Sequence, residues 1–242
     1  MAKDKVILAY SGGLDTTVII PWLKENYDYD VIAVCIDVGQ GDDWELIKGR
    51  AVKTGASACY VVDARQEYIE EYIWPALKAN CKYEDQYLLG TSTARPLIGK
   101  ILVEYARQEG AVAICHGATG KGNDQIRFEL AIKAFAPDLR VIAAWRDPKW
   151  NMDSRDAEIK FLEDRGLEVP MKKDQSYSRD ENIWHISHEG LELEKTENEP
   201  NYKHMLKNTV CPEEAPEAGE YVKIEFEKGI PVSVNGKKMN GL

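Results

Sequence analysis

The stretch Ala9-Tyr10-Ser11-Gly12-Gly13-Leu14-Asp15-Thr16-Thr17 decides the fold. It follows an apolar run, Val6-Ile7-Leu8, and opens a helical pattern. The segment therefore reads as a strand, a glycine-rich turn and a helix start. Two glycines let the backbone approach an anion closely. Ser11, Thr16, Thr17 and the free amides supply donors, and a helix N-terminus adds partial positive charge. The spacing matches neither G-x-x-x-x-G-K-[ST] nor G-x-G-x-x-G. The plain alternative is an ordinary strand-to-helix turn with Asp15 near the helix start.

Outward from this loop, strand and helix patterns alternate through the first two thirds of the chain. Strands are predicted at Lys5–Ala9, Val31–Val38, Ala58–Val62, Val112–Cys115 and Arg140–Ala144. Helices are predicted at Thr16–Asn26, Asp43–Thr54, Gln66–Ala79, Thr93–Glu109 and Asp124–Ala134, with Pro75 a kink or an end. Uninterrupted apolar strands between amphipathic helices imply an α/β, doubly wound parallel sheet. The Ser11 loop, the Asp37–Gln40 turn and the His116–Asp124 loop each follow a strand. All three then project from one sheet edge, where such sheets bind ligands.

The alternation stops near Asp147. Ser154–Arg165 reads as one more helix, closed by Gly166. The text beyond is polar and turn-rich, with strand candidates at Trp184–Ile186, Tyr221–Phe226 and Val232–Val234 and a hairpin signal at Asn235-Gly236. This predicts a nucleotide-binding domain over residues 1–166 and the first part of a second, α+β domain over 167–242. Leu242 falls a few residues into the expected returning strand.

Composition bounds the function. The 242 residues are 44% hydrophobic and 30% charged, as in a globular protein, and no apolar run is long enough to span a bilayer. The N-terminus lacks a signal-peptide core, so the expectation is a cytoplasmic protein without membrane partners. A net charge of −10 argues against a nucleic-acid substrate, which needs a basic face. Cys35, Cys59 and Cys115 lie in apolar runs and read as small buried hydrophobes.

Two further segments carry chemistry. Cys115-His116-Gly117-Ala118-Thr119-Gly120-Lys121-Gly122-Asn123-Asp124, followed by Gln125-Ile126-Arg127-Phe128-Glu129, gathers glycines, a hydroxyl, an amide, a carboxylate and cations at a strand end. Taken alone it is also compatible with a surface turn. Tyr83-Glu84-Asp85-Gln86-Tyr87-Leu88-Leu89-Gly90-Thr91-Ser92-Thr93-Ala94-Arg95-Pro96 contains a helix start, with Ser92 or Thr93 as cap and Pro96 in the first turn. Arg95 there opposes the helix dipole, a conflict that an anionic ligand would remove.

The S-G-G-x-D-[ST] form at Ser11–Thr16 resembles the PP-loop of the ATP pyrophosphatases, which cleave ATP between its α- and β-phosphates. With Tyr87–Pro96, His116–Glu129 and the run Ser178-Arg179-Asp180-Glu181-Asn182-Ile183-Trp184-His185-Ile186-Ser187, the chain resembles the argininosuccinate synthase family over essentially its whole length. The resemblance implies a PP-loop domain followed by part of a synthetase domain. It also implies ATP-dependent joining of L-citrulline and L-aspartate through citrullyl-AMP, releasing AMP and pyrophosphate, with Mg²⁺ accompanying the ATP.

The resemblance further implies roles for individual residues. Ala9, Tyr10, Ser11, Gly12, Gly13, Leu14, Asp15, Thr16, Thr17, Ile36 and Gly117 would hold ATP. Thr119, Asn123 and Asp124 would bind aspartate. Tyr87, Ser92, Asn123, Arg127, Ser178 and Ser187 would bind citrulline, and Asp15, Arg95 and Asp124 are the candidate catalytic residues. Catalysis would be positioning plus charge stabilisation, without a side-chain nucleophile. Family chains are homotetrameric and continue past the point matching Leu242, with more citrulline contacts and an assembly arm. His185 and His188 form an H-x-x-H pair without a further ligand set, and no structural metal is expected. The alternatives are another PP-loop adenylating enzyme and a non-catalytic ATP-binding fragment.

Overall fold

The computed structural model describes residues 2–120, 122–170 and 177–242. The chain forms two compact units, one of Met1–Ala64 with Ser92–Lys172 and one of Arg65–Thr91 with Lys173–Leu242.

The first unit begins with β1 (Lys5–Ala9), α1 (Leu14–Tyr27), β2 (Asp30–Asp37), α2 (Trp44–Thr54) and β3 (Ala58–Asp63). The chain next forms α3 (Arg65–Glu67), a π-helical stretch (Tyr68–Ile73) and α4 (Trp74–Lys78), which belong to the second unit. It returns through α5 (Gly90–Glu109), β4 (Ala113–His116), α6 (Asp124–Phe135), β5 (Arg140–Ala143) and α7 (Arg155–Glu163). The strands make one parallel sheet in the order β3-β2-β1-β4-β5. Leu8 pairs with Ala33 on one side and with Cys115 on the other. The strand order reverses direction between β1 and β4, which makes that crevice the topological switch point.

The β1 side chains show why the apolar runs are continuous. Val6 and Leu8 enter the core cluster shared with Val18, Trp22 and Ile47, while Ile7, pointing to the opposite face, is equally buried. α1 packs with α2 and α7, whereas α5 and α6 meet at Gly99 and Ala131. Helices thus cover both faces, as in a doubly wound α/β sheet. Local signals set the helix ends: Asp43 caps α2 by accepting from Leu46 N at 3.0 Å, and Gly55 closes it at φ +110°. Among the described residues no helix is long and apolar enough to cross a membrane. Cys35, Cys59 and Cys115 are buried free thiols.

In the second unit, β6 (Ser178–Asn182) and β7 (His185–Glu189) form an antiparallel hairpin. After α8 (Tyr202–Met205), β8 (Ile224–Glu227), β9 (Ile230–Val234) and β10 (Lys237–Lys238) form a three-stranded antiparallel sheet. Asn235 and Gly236 both have positive φ, 49° and 78°, as the tight turn between β9 and β10 requires.

Several elements differ from expectation. The helix predicted over Gln66–Ala79 is divided into α3, the π-helical stretch and α4. Pro75 has no N–H to donate back one turn, and the widened turn precedes it directly. β6 was not predicted, because Ser-Arg-Asp-Glu-Asn shows no apolar alternation. β8 starts at Ile224 rather than Tyr221, and Tyr221 is fully exposed.

Candidate functional site

The Ser11 loop leaves β1 and enters α1 at the switch point. Gly12 has φ +77°, and a Cβ there would lie 2.8 Å from Ile47 Cγ1 on α2. Both facts demand glycine. Gly13 is the N-cap of α1 and gives it no side-chain cap, so its first amides are not taken by a capping side chain. Hydroxyls brace the loop from within. Ser11 N donates to Thr16 Oγ1 at 3.3 Å, Gly13 N to Ser11 Oγ at 3.4 Å, and Thr16 Oγ1 to Gly13 O at 3.3 Å. The two hydroxyls lie 3.1 Å apart. Arg50 Nη1, from α2, donates to Gly12 O at 2.7 Å.

The nine residues from Ala9 to Thr17 divide by burial. The side chains of Tyr10, Leu14 and Thr17 are in the core. Tyr10 Oη and Thr17 Oγ1 bond each other at 3.0 Å, and burial pushes the phenol up to about 12. Those three can meet a ligand only through backbone atoms. Ser11 and Asp15 are exposed, and Thr16 is half-buried. Ile36 is buried at the end of β2, with its carbonyl accepting from Gln40 Nε2 at 3.0 Å.

The neighbouring strand β4 supplies the second loop. A Cβ on Gly117 would lie 3.2 Å from both Thr16 Cγ2 and Ile19 Cδ1, so the two loops touch there. His116 is fully buried and stacks on Phe128 with centroids 5.6 Å apart. Its Nδ1 accepts from Ala118 N at 3.2 Å and shapes the turn. Burial, helped by the Arg146 charge, lowers its pKa to about 4, so the ring is neutral. Glu129 Oε1 lies 3.8 Å from His116 Nε2 and pairs with Arg146. Lys121 lies outside the described residues, Thr119 is half-buried and Asn123 is exposed.

Asp124 opens α6 and is held by two guanidinium groups. Arg95 Nε and Nη2 each reach its Oδ2 at 2.9 Å, and Arg127 Nη1 reaches Oδ1 at 2.9 Å. Arg95 also lies over the Phe128 ring at 5.7 Å. The structure corrects the expected helix start here: α5 begins at Gly90, so Ser92 and Thr93 are inside the helix rather than its cap, Pro96 is interior, and Arg95 falls in the second turn, beyond the dipole conflict expected of it. The structure thus brings together Ser11–Thr16 with Gly117, and Arg95 with Asp124 and Arg127.

Tyr87, Ser178 and Ser187 belong to the second unit, whereas Ser92, Asn123 and Arg127 belong to the first. Within the second unit Thr91 N donates to Tyr87 Oη at 2.9 Å, and the Tyr87 ring meets His185 edge-on at 6.0 Å. Thr91 Oγ1 and His185 Nε2 are 3.0 Å apart. Gly90 O accepts from Tyr68 Oη and Asn182 Nδ2, both at 3.0 Å. A Cβ on Gly90 would overlap His185 Cβ at 2.1 Å. Ser187 is opposite Asp180, and Ser178 is opposite Glu189. The two exposed serines therefore share one face of the hairpin. His185 and His188, three apart on β7, point to opposite faces, which separates the two imidazoles.

Arg50 escaped sequence reasoning. It has no motif, and its link to Gly12 spans 38 positions of sequence. His116 and Phe128 were quoted within a motif, but nothing in the spacing announced their stacking.

Known proteins carry the same pattern. Residues 5–168 match the family model of the arginosuccinate synthase N-terminal HUP domain, and residues 177–242 that of the arginosuccinate synthase C-terminal domain. The chain is 63% identical over 237 residues to the argininosuccinate synthase of Agathobacter rectalis, covering 98% of this chain and 58% of that protein. It is 63% identical over 235 residues to that of Brachyspira hyodysenteriae, covering 97% and 57%. With that of Caldicellulosiruptor saccharolyticus it shares 58% over 240 residues, covering 99% and 59%. The chain thus spans somewhat over half the length of these relatives. Two consecutive domain models and the cradle at the switch point agree: the chain belongs to the argininosuccinate synthase family.

Proposed function

We propose that this chain binds ATP in the Ser11 loop and takes part in the ligation of L-citrulline and L-aspartate, a reading supported by relatives named argininosuccinate synthase. The observation that carries the reading is the uncapped start of α1, braced by Ser11 and Thr16 and flanked by Gly117. Backbone amides and the helix end suit a polyphosphate. Mg²⁺ fits as an ion held mainly by phosphate oxygens and water, and it would offset phosphate charge when bound.

The chemistry needs positioning more than a nucleophile. The ureido oxygen of citrulline attacks the α-phosphorus and pyrophosphate leaves. The aspartate amine then attacks the ureido carbon and AMP leaves. Arg127 has the geometry to pair with a substrate carboxylate, and Asp124 can accept from an amine. Each now serves as partner to the other, so substrate binding exchanges one charge-assisted bond for another. Arg95 orients Asp124 through its ion pair to Oδ2. Thr119 and Asn123 complete the proposed aspartate set, and Tyr87, Ser92, Ser178 and Ser187 the proposed citrulline set. Such chemistry, using ATP and free amino acids, suits the cytoplasm.

Pyrophosphate release from ATP tests the reading, with citrulline and aspartate each omitted in turn. Release that requires citrulline supports ligation. ATP binding without citrulline-dependent release would leave only a nucleotide-binding role. Release driven by a different acceptor would assign the chain to another adenylation.

A further inference from the structure

Two residues of α2, three positions apart on one helix face, close on Gly12. Ile47 blocks the space beside its Cα, since a Cβ there would lie 2.8 Å from Ile47 Cγ1. Arg50 holds its carbonyl, with Nη1 donating to Gly12 O at 2.7 Å. The Arg50 Nε is buried without a partner among the described residues. A buried donor left unsatisfied costs free energy, so stability alone does not explain a guanidinium at this position.

The bond matters for what it does to the next amide. The Gly12–Gly13 peptide is trans, and in a planar trans peptide the carbonyl and the N–H point in opposite directions. Holding Gly12 O against α2 turns the Gly13 N–H away from α2, toward the Ser11 hydroxyl. That amide belongs to the N-cap residue of α1 and meets Ser11 Oγ at 3.4 Å, a long bond that a phosphate oxygen can replace. Flanked by two glycines, the peptide has no Cβ of its own to fix which way it faces.

We propose that Arg50 is a positioning residue for the nucleotide: it latches the Gly12–Gly13 peptide with the N–H turned into the Ser11 loop, so the donor is oriented before a polyphosphate arrives. The inference rests on the nucleotide reading of that loop. It gives a role to a residue outside every motif and makes α2 part of the cradle. Without the latch the peptide can turn over and present a carbonyl oxygen where an anion must sit, and affinity is spent on turning it back.

The test is calorimetry in Mg²⁺ with three probes: ATP, inorganic pyrophosphate and adenosine. Arg50→Met keeps the apolar stem and removes the donor. It should lower affinity for ATP and for pyrophosphate about tenfold and for adenosine less than about twofold. Arg50→Lys keeps a cationic donor and should return ATP affinity to within about threefold of wild type. The Arg50→Met loss should be the same at about 0.05 M and about 0.5 M salt, because orientation is not screened. Unchanged ATP affinity in Arg50→Met overturns the proposal. So does an equal loss for adenosine, a loss that vanishes at high salt, or no recovery in Arg50→Lys.

The Gly13 amide resonance gives a second readout that needs no ligand. It should be one sharp peak in wild type. In Arg50→Met it should move, or broaden through microsecond-to-millisecond exchange between two peptide orientations. An unchanged Gly13 resonance overturns the latch. Wild type that binds neither ATP nor pyrophosphate would remove the nucleotide reading, and the Gly13 resonance would still decide the latch.

Discussion

Two kinds of helix start coexist in the first unit. α2 and α7 carry side-chain caps, Asp43 accepting from Leu46 N at 3.0 Å and Ser154 from Ala157 N at 3.3 Å. α1 and α6 begin at Gly13 and Asn123 with no side-chain cap. A cap contributes about 1 kcal/mol, so the uncapped starts forgo stability that the same unit secures elsewhere. Both follow adjacent strands at the switch point, and each carries an aspartate in its first turn. The difference teaches where free amides have been kept available. The two uncapped starts also differ from each other. The loop before α1 is braced by neutral hydroxyls, while Asp124 in the first turn of α6 is locked by Arg95 and Arg127.

The strongest way to break this comparison is Gly12→Val. A branched side chain at φ +77°, meeting Ile47, should distort the loop. We expect ATP affinity to fall at least about a hundredfold by calorimetry, with about 1–3 kcal/mol lost in urea unfolding. Near-normal ATP binding would show that the cradle is not the nucleotide site.

Asp124→Ala addresses the charged start. Aspartate-dependent AMP release should drop about a hundredfold, with ATP affinity changed by less than about twofold. Equal losses in both would contradict the separate roles of the two loops.

His116 sharpens the contrast through stability. Its pKa is depressed in the fold, from 6.5 to about 4. The stability it confers is full above about pH 6.5 and is lost as pH falls toward 4, because the unfolded chain takes up that proton first. Urea unfolding should show wild type losing about 2 kcal/mol more than His116→Gln between pH 7 and pH 4.5. Parallel pH profiles would mean that the ring is not held neutral.

The smallest effect is expected at a capped start. Ser154→Ala should lower stability by about 1 kcal/mol and leave ATP affinity unchanged. A change in ATP affinity there would erase the distinction between capped and uncapped starts.

Much of the first unit was legible because its signals are local. Val6-Ile7-Leu8 can only be a strand buried on both faces, and Ser11-Gly12-Gly13 can only be a turn that approaches something closely. Asp43, Ser154 and Gly166 punctuate helices within a few residues of where they act. The second unit was less legible. β6 is built from Ser178-Arg179-Asp180-Glu181-Asn182, and its pairing with β7 depends on backbone bonds that leave no apolar period. Residues 65–91 cluster with 173–242 across a long gap in sequence, which no spacing announces.

The sequence by itself determined which groups gather in the loops at the switch point, because glycine, hydroxyl and carboxylate spacing is a property of neighbours along the chain. The tertiary structure alone decided how those groups are tuned. It brought Arg50 to the Gly12 carbonyl, and Arg95 and Arg127 to Asp124. Charge and burial depend on distance through space, and residues 38 or 29 positions apart along the chain (Arg50 from Gly12, Arg95 from Asp124) become neighbours only when the sheet and its helices close around them.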